Sequence, residues 1–247
     1  MRFSVVIATL NNQETINKTI FSVKNQKFKN YEIIIVDGGS EDQTLKIINN
    51  HALENIKLIY QKKRGIYNAF NLGIEQSIGE IIIFLNADDF FINGEVLDLI
   101  NNAFIENKNL EVIISNVKIV NNHEKPIRDY KCNSFNNFMF YFGHMPPHPG
   151  IFIKKSIYSK FGKFLEEFEN AGDFEFIVRL FLKHKVLYKR IDKYFVTMLA
   201  GGKSNKNIKS FIVNTIEIKK ALKINRLFSS YILITLRFVI KLFQFIK

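Results

Sequence analysis

Four short runs, each too apolar to face water on either side, recur through the first part of the chain: FSVVIA at 3–8, YEIIIV at 31–36, IKLIY at 56–60 and EIIIFL at 80–85. Between and after them lie stretches with helical spacing, at 15–26, 42–52, 66–77 and 95–105. Strands that are apolar on both faces need cover on both faces, and alternating helices supply it. The pattern therefore predicts βαβ units in a mostly parallel, Rossmann-like sheet of the α/β class. After about residue 111 the spacing changes to shorter strands at 111–120 and 150–155, with helical pieces at 133–142, 156–162 and 173–184. No linker rich in Gly, Pro or Ser divides the two parts, so one domain is expected over 1–205, with halves 1–110 and 111–205, followed by a tail at 206–247.

The chain has the apolar content for a sizeable core, 47% of 247 residues. Its single cysteine, Cys132, forms no internal disulfide and suits a reducing compartment, the cytoplasm. The opening residues read as a first strand, not a leader, since no small-residue cleavage site precedes Asn11. The net charge of +12 is concentrated: ten Lys/Arg stand against one acid, Glu217, from Lys203 onward, leaving +3 for the first 202 residues.

Ligands of open parallel sheets bind beyond the carboxyl ends of the strands. There this sequence places Thr9 and Asn11 after the first strand, Asp37 after the second, Arg64 after the third, and Asn86, Ala87, Asp88 and Asp89 after the fourth. No Gly-x-Gly-x-x-Gly and no Walker A lysine loop accompanies them. Asp88 and Asp89 are hard oxygen ligands suited to Mg²⁺ or Mn²⁺, an ion that completes its shell with phosphate oxygens, so the rim suits a nucleotide diphosphate. Asp37 could accept from a base or ribose, and Arg64 could reach a phosphate. The competing roles are ordinary ones: helix N-caps for Asp37, Ser40 and Asp89, and a solvated loop charge for Arg64.

The ordered motifs SVVIATLNN, YEIIIVDGGSEDQT, RGIYNAFNLGI, GEIIIFLNADD, PPHPGIFIKK, AGDFEF and AGGKSN, spread over roughly 1–205, resemble glycosyltransferase family 2, inverting enzymes of GT-A fold, and most of all its bacterial surface-polysaccharide branch. The resemblance implies that a nucleotide-diphosphate sugar, UDP-sugars foremost, donates a hexosyl or N-acetylhexosaminyl group to a glycan or lipid-linked oligosaccharide. It places Thr9 and Asp37 at the nucleoside, Arg64 near base or phosphates, and Asp88 as main metal carboxylate with Asp89 beside it. Asn86 stands at the first position of the family's Asp-x-Asp motif, and Asn68 where relatives often carry Asp; both are expected to line the pocket. Asp173 becomes the general base, ahead of Glu175 two positions on. His148, between prolines, lines the acceptor or diphosphate site, and Lys203 follows hinge glycines Gly201 and Gly202 as a phosphate partner. The remaining histidines show no metal-ligand spacing.

In the tail, the longest charge-free stretch, Leu227 to Leu236, is ten residues, short of the ~20 that span a bilayer. Arg226, Ser230, Arg237, Lys241, Gln244 and Lys247 fall on one helical face opposite Phe, Leu and Ile. That is the pattern of a helix lying on an anionic membrane surface, which would attach the protein to the inner face of the cell membrane. The alternative is a helix docked on the protein's own core or on a second subunit, giving a homodimer. Two other functions compete. A sugar-phosphate nucleotidyltransferase would need a Gly-rich basic loop after the first strand, which ATLNNQ lacks. A nucleic-acid-binding protein would need cations spread over a face between aromatics, whereas here they accompany an amphipathic helix, so no nucleic acid is expected.

Overall fold

The computed structural model describes residues 1–51, 55–200 and 208–237. Its first part alternates as expected: β1 (Phe3–Thr9), α1 (Ile16–Lys24), β2 (Tyr31–Asp37), α2 (Thr44–Asn50), β3 (Ile56–Tyr60), α3 (Ile66–Gln76) and β4 (Ile81–Asn86). The strands run parallel in the order β3-β2-β1-β4. Every residue of β1 is buried, as are Ile81 to Leu85 of β4, which is why neither strand shows polar alternation. Helix α3 lies close against β1: a Cβ on Gly73 would sit 2.3 Å from Val6 Cγ1, so only glycine permits this approach.

The second part continues the sheet with mixed polarity. It contains β5 (Asp89–Phe91), α4 (Val96–Glu106), β6 (Val112–Val120), β7 (Pro126–Tyr130), β8 (Ile151–Lys154), α5 (Lys155–Phe161), α6 (Gly172–Val178) and β9 (Tyr188–Leu199). Strand β8 bridges the halves, antiparallel to both β4 and β6. Strand β9 runs parallel to β6 through a register irregularity near Ser115–Val117, β5 pairs antiparallel with β9, and β7 extends β6 on its other side. The helical pieces expected around 133–142 are two 3-10 helices, Cys132–Ser134 and Asn137–Phe142. A π-helical stretch, Arg179–Lys183, extends α6.

Over the described residues, the expected appended tail is instead two helices packed on the domain. Helix α7 (Ile208–Ile224) lies against α6 and buries Ile218, Ala221 and Leu222; α8 (Tyr231–Thr235) buries Ile234. Arg237, read as part of an exposed basic face, is only 4% exposed. Residues 238–247, which carry Lys241, Gln244 and Lys247, lie outside the described residues.

Candidate active site

Strand register brings the predicted rim together. Thr9 lies beside Asp37, and Ala8 beside Asn86, so β1, β2 and β4 end at one level. At these ends opens a cleft of about 630 Å³, lined also by residues of β7, α6 and α7. Thr9, Arg64, Asn86, Ala87, Asp88, His148 and Asp173 line it.

Asp37, Asn11, Asn68 and Asp89 are not among its lining residues, and each has an internal task. Asp37 is fully buried; Oδ2 accepts the amides of Gly39 at 2.9 Å and Ser40 at 3.0 Å, and Oδ1 accepts the Ser40 hydroxyl at 2.5 Å. It shapes its own turn and caps no helix. Asn11, at φ 55°, accepts the Glu41 amide at 2.8 Å, while its neighbour Asn12 faces the cleft and holds the Leu10 amide at 3.0 Å. Asn68 accepts from Gln61 Nε2, which also donates to the Gly65 carbonyl and fixes the loop bearing Arg64.

The adjacent acids at 88 and 89 separate. Asp88 lines the cleft, whereas Asp89 opens β5 and is fully buried behind Asn86, whose side-chain and backbone N–H groups both donate to Asp89 Oδ2. Burial, reinforced by the Asp88 charge, drives the Asp89 carboxyl well above the usual carboxylate range. Asp89 therefore braces Asn86 from behind the cleft wall and is not among the residues that line the cleft. No cluster of three or more metal-binding side chains occurs among the described residues. A divalent ion would take Asp88 as its protein carboxylate and fill its remaining positions with phosphate oxygens and water, a donor set that Mg²⁺ and Mn²⁺ both accept.

Asp173, in the first turn of α6, lines the cleft. Its Oδ1 accepts from the Phe174 amide at 2.8 Å and from Tyr67 Oη at 3.1 Å. Burial raises its pKa to about 6, aided by the charge of Glu217, against the two hydrogen bonds that favour the ionised form. Tyr67 reaches it because α6 begins with Gly172, where a Cβ would lie 2.8 Å from the Tyr67 ring. Glu175 points away into the protein, paired with Arg179 at 2.8 Å and Asn225 at 3.1 Å.

The loop into α6 is held from two sides. Asn71 of α3 bonds both the carbonyl and the amide of Phe164, and Glu217 of α7 accepts the consecutive amides of Glu169, Asn170 and Ala171 at 2.7, 2.8 and 2.9 Å. Sequence reasoning missed Glu217; its signal was its position as the lone acid of a strongly basic segment.

His148 is 7% exposed within a ring cluster, its centroid 5.1 Å from Phe84, 5.2 Å from Phe70 and 5.6 Å from Phe164. Burial lowers its pKa to about 4, so at neutral pH it is an uncharged wall of the cleft and not a cationic partner for a diphosphate. Lys203, with Gly201 and Gly202, lies outside the described residues.

A parallel nucleotide-type sheet continued by a mixed half, with its cleft over the strand ends, is the GT-A fold. Solved structures carry the same architecture: Staphylococcus aureus TarS 1–349 in complex with UDP-GlcNAc superposes with a TM-score of 0.69 at 22% identity, over 90% of this chain and 66% of that one. A Pyrobaculum calidifontis mannosyltransferase in complex with GDP-Man and Mn²⁺ gives 0.65 at 14% identity, over 90% of this chain and 63% of that one. The chain belongs to glycosyl transferase family 2, whose model matches residues 4–179. Among similar sequences, a PGL/p-HBAD biosynthesis glycosyltransferase of Mycobacterium bovis is 25% identical over 72% of this chain and 69% of its own length. A GalNAc(5)-diNAcBac-PP-undecaprenol beta-1,3-glucosyltransferase of Campylobacter jejuni is 33% identical over 41% of this chain and 34% of its own. The chain thus spans about two thirds of the TarS chain and about one third of the Campylobacter relative.

Proposed function

We propose that the protein transfers a sugar from a nucleotide-diphosphate donor to a hydroxyl of a glycan or lipid-linked acceptor in surface-polysaccharide synthesis, with inversion at the anomeric carbon. The observation that carries this reading is that Asp173 lines the same cleft as Asp88 and the strand-end rim. Tyr67 and the Phe174 amide both donate to Oδ1 of Asp173, and Oδ2 takes the acceptor proton as the acceptor oxygen attacks. A base with a pKa near 6 is ionised at neutral pH and still basic enough to accept a proton in the transition state. The rim residues Thr9 and Asn12 hold the nucleoside end, Asp37 keeps the Gly38–Gly39 turn in shape beside it, and Arg64 approaches the phosphates. A divalent ion on Asp88 supplies charge neutralisation for the departing diphosphate. The UDP-GlcNAc and GDP-Man of the solved neighbours support a nucleotide-sugar donor without choosing the sugar.

The test is a panel of UDP-, GDP- and dTDP-sugars screened for thermal stabilisation with and without Mg²⁺ or Mn²⁺, since a ligand bound by the native state raises its Tm. One donor class is expected to give a shift that chelation removes. Asp88→Ala should abolish the metal-dependent part and lower turnover roughly 100-fold, the scale for losing one electrostatic contact to a developing charge. Full metal-dependent stabilisation in that variant would sink the assignment of Asp88.

No helix among the described residues is long and apolar enough to cross a membrane. Supporting a surface attachment, Phe228 is 80% and Ile232 77% exposed, and Ile212 and Ile216 share a face of α7 with Lys219 and Lys223. An apolar ridge flanked by lysines suits anionic lipid. Replacing Phe228 and Ile232 together by Asp is expected to weaken co-sedimentation with phosphatidylglycerol vesicles at least tenfold, from the loss of two inserted side chains worth about 1.5–3 kcal/mol each at full burial. Unchanged co-sedimentation would remove this surface as the attachment site.

A further inference from the structure

At the rim of the cleft, where the first two strands end, the side chain of Gln61 is held by one end only. Gln61 follows β3, whose Tyr60 pairs with Asp37, and its backbone N–H donates to the Asp37 carbonyl at 2.8 Å. Its side-chain Nε2 donates to the Gly65 carbonyl at 2.7 Å and to Asn68 Oδ1 at 3.0 Å. A backbone carbonyl only accepts, so the Gly65 contact fixes which end of the carboxamide is nitrogen and which is oxygen. Among the described residues, Oε1 accepts no hydrogen bond. Gly38 locates this oxygen: a Cβ there would lie 3.3 Å from Gln61 Oε1, 3.5 Å from the Thr9 carbonyl and 3.5 Å from Leu10 Cβ. Thr9, Leu10, Gly38 and Gln61 all line the cleft. Asp37, by contrast, lies outside the lining, with both carboxylate oxygens committed to its own turn.

We infer that Gln61 Oε1 reads the donor's base, accepting a hydrogen bond from a ring N–H of the kind uracil, thymine and guanine carry and cytosine and adenine lack. The inference rests on the glycosyl-transfer reading and deepens it by naming what the site recognises in the nucleotide. Gln61 is half-buried, so a base seated against it takes the place of water. A ring N–H then satisfies the oxygen, whereas a bare ring nitrogen sets one acceptor against another and leaves both unpaired. A site built to hydrogen-bond a group rejects the analogue that lacks it far more strongly than an apolar pocket rejects a change of size. Gly38 has no side chain to hold a planar ring away from Oε1. The carboxamide is fixed through its nitrogen, so its oxygen cannot exchange places with a donor to suit the other bases.

The test titrates UDP, dTDP, GDP, CDP and ADP into the full chain by calorimetry with Mg²⁺ or Mn²⁺ present, then the tightest of them with its ring nitrogen methylated, as in N3-methyl-UDP. UDP, dTDP or GDP should bind tightest, with CDP, ADP and the methylated analogue weaker by roughly tenfold or more. Gln61→Met keeps the length of the side chain but removes its oxygen, and should bring the preference for the unmethylated base close to unity. A purely structural role in the 61–65 loop would weaken both ligands equally and leave that ratio unchanged. Gln61→Glu restores an oxygen acceptor without Nε2, and should recover the preference even if every nucleotide binds less tightly. A full preference retained in Gln61→Met would overturn the proposal. So would CDP or ADP as the tightest ligand, or equal binding of methylated and unmethylated base in the parent, and these two results need no variant to fold. If no nucleoside diphosphate binds at all, the functional reading itself fails, which is a separate outcome.

Discussion

Asp173→Asn is expected to reduce kcat roughly 1,000-fold, within the range that a positioned general base contributes, while donor affinity stays near that of the parent. The amide is nearly isosteric, and its oxygen can still accept from Tyr67 and the Phe174 amide, the two bonds that orient the side chain. What it cannot do is take a proton. The sign of the pH dependence follows from the raised pKa of about 6. The ionised form is the active one, so the parent enzyme should lose about tenfold in kcat per unit below pH 6 and plateau above it. Stability runs the other way. A carboxyl whose native pKa exceeds its unfolded value gives a contribution that is fully present below the unfolded pKa, ~3.9, and lost as pH rises through about 6. Asp173→Asn should therefore be at least as stable as the parent at pH 7.5, so an inactive variant with an unchanged or higher Tm separates chemistry from unfolding. Tyr67→Phe removes one donor that favours the ionised carboxylate, and should move the acid limb to higher pH. An Asp173→Asn enzyme with more than a tenth of parental kcat, or a Tyr67→Phe limb displaced to lower pH, would exclude this base.

The first half of the fold was legible because β1, β2 and β4 are buried almost throughout and the stretches between the strands have helical spacing, so the apolar pattern separates the elements, although β3, partly exposed, was read as equally apolar. Strand β9 escaped notice for the opposite reason. Lys189, Arg190, Asp192 and Lys193 occupy its first half, and only Phe195, Val196 and Thr197 form a buried run, so no period-two or continuous apolar signal marks it. The rim was readable at the level of strand ends but not of side-chain direction. Asp88 lies in the turn between β4 and β5 and lines the cleft, whereas Asp89 opens β5 and is buried behind Asn86, a divergence that adjacency in sequence does not show. A positive φ at Asn11 turns that side chain to the 40–41 loop and gives the cleft to Asn12. Asp37 has the acceptors expected of a nucleoside ligand, yet the Gly39 and Ser40 donors engage them first, a local competition that spacing does not show. In the tail, helical periodicity placed the cations on one face without saying what covers that face. Thr215 and the Phe211 ring, on α7, are among the groups that Arg237 meets.

Glu217→Ala is expected to destabilise the protein by about 3–5 kcal/mol, from buried amides left without an acceptor, and to lower kcat more than it raises the donor KM. Glu217 is 8% exposed and accepts three consecutive backbone amides leading into α6. A buried N–H left without an acceptor costs about 1–3 kcal/mol, and alanine strands three of them in a loop that also depends on Asn71. Glu217→Gln keeps one accepting oxygen but sets an NH₂ group against at least one of the same donors, so a smaller loss, roughly 1–3 kcal/mol, is expected. The kinetic split follows from where the loop leads. It ends at Gly172 and Asp173, where the acceptor proton is taken, while the rim is carried by the ends of β1, β2 and β4. A shift of the α6 start by even ~1 Å takes the base out of reach of the acceptor hydroxyl, a displacement worth about 100-fold in rate. If Glu217→Gln retained parental Tm and kcat, α7 would be an appendage after all. If donor KM rose as steeply as kcat fell, the loop would serve the whole cleft and not the base alone. The expected outcome makes the basic C-terminal segment part of the catalytic machinery through its one acidic residue.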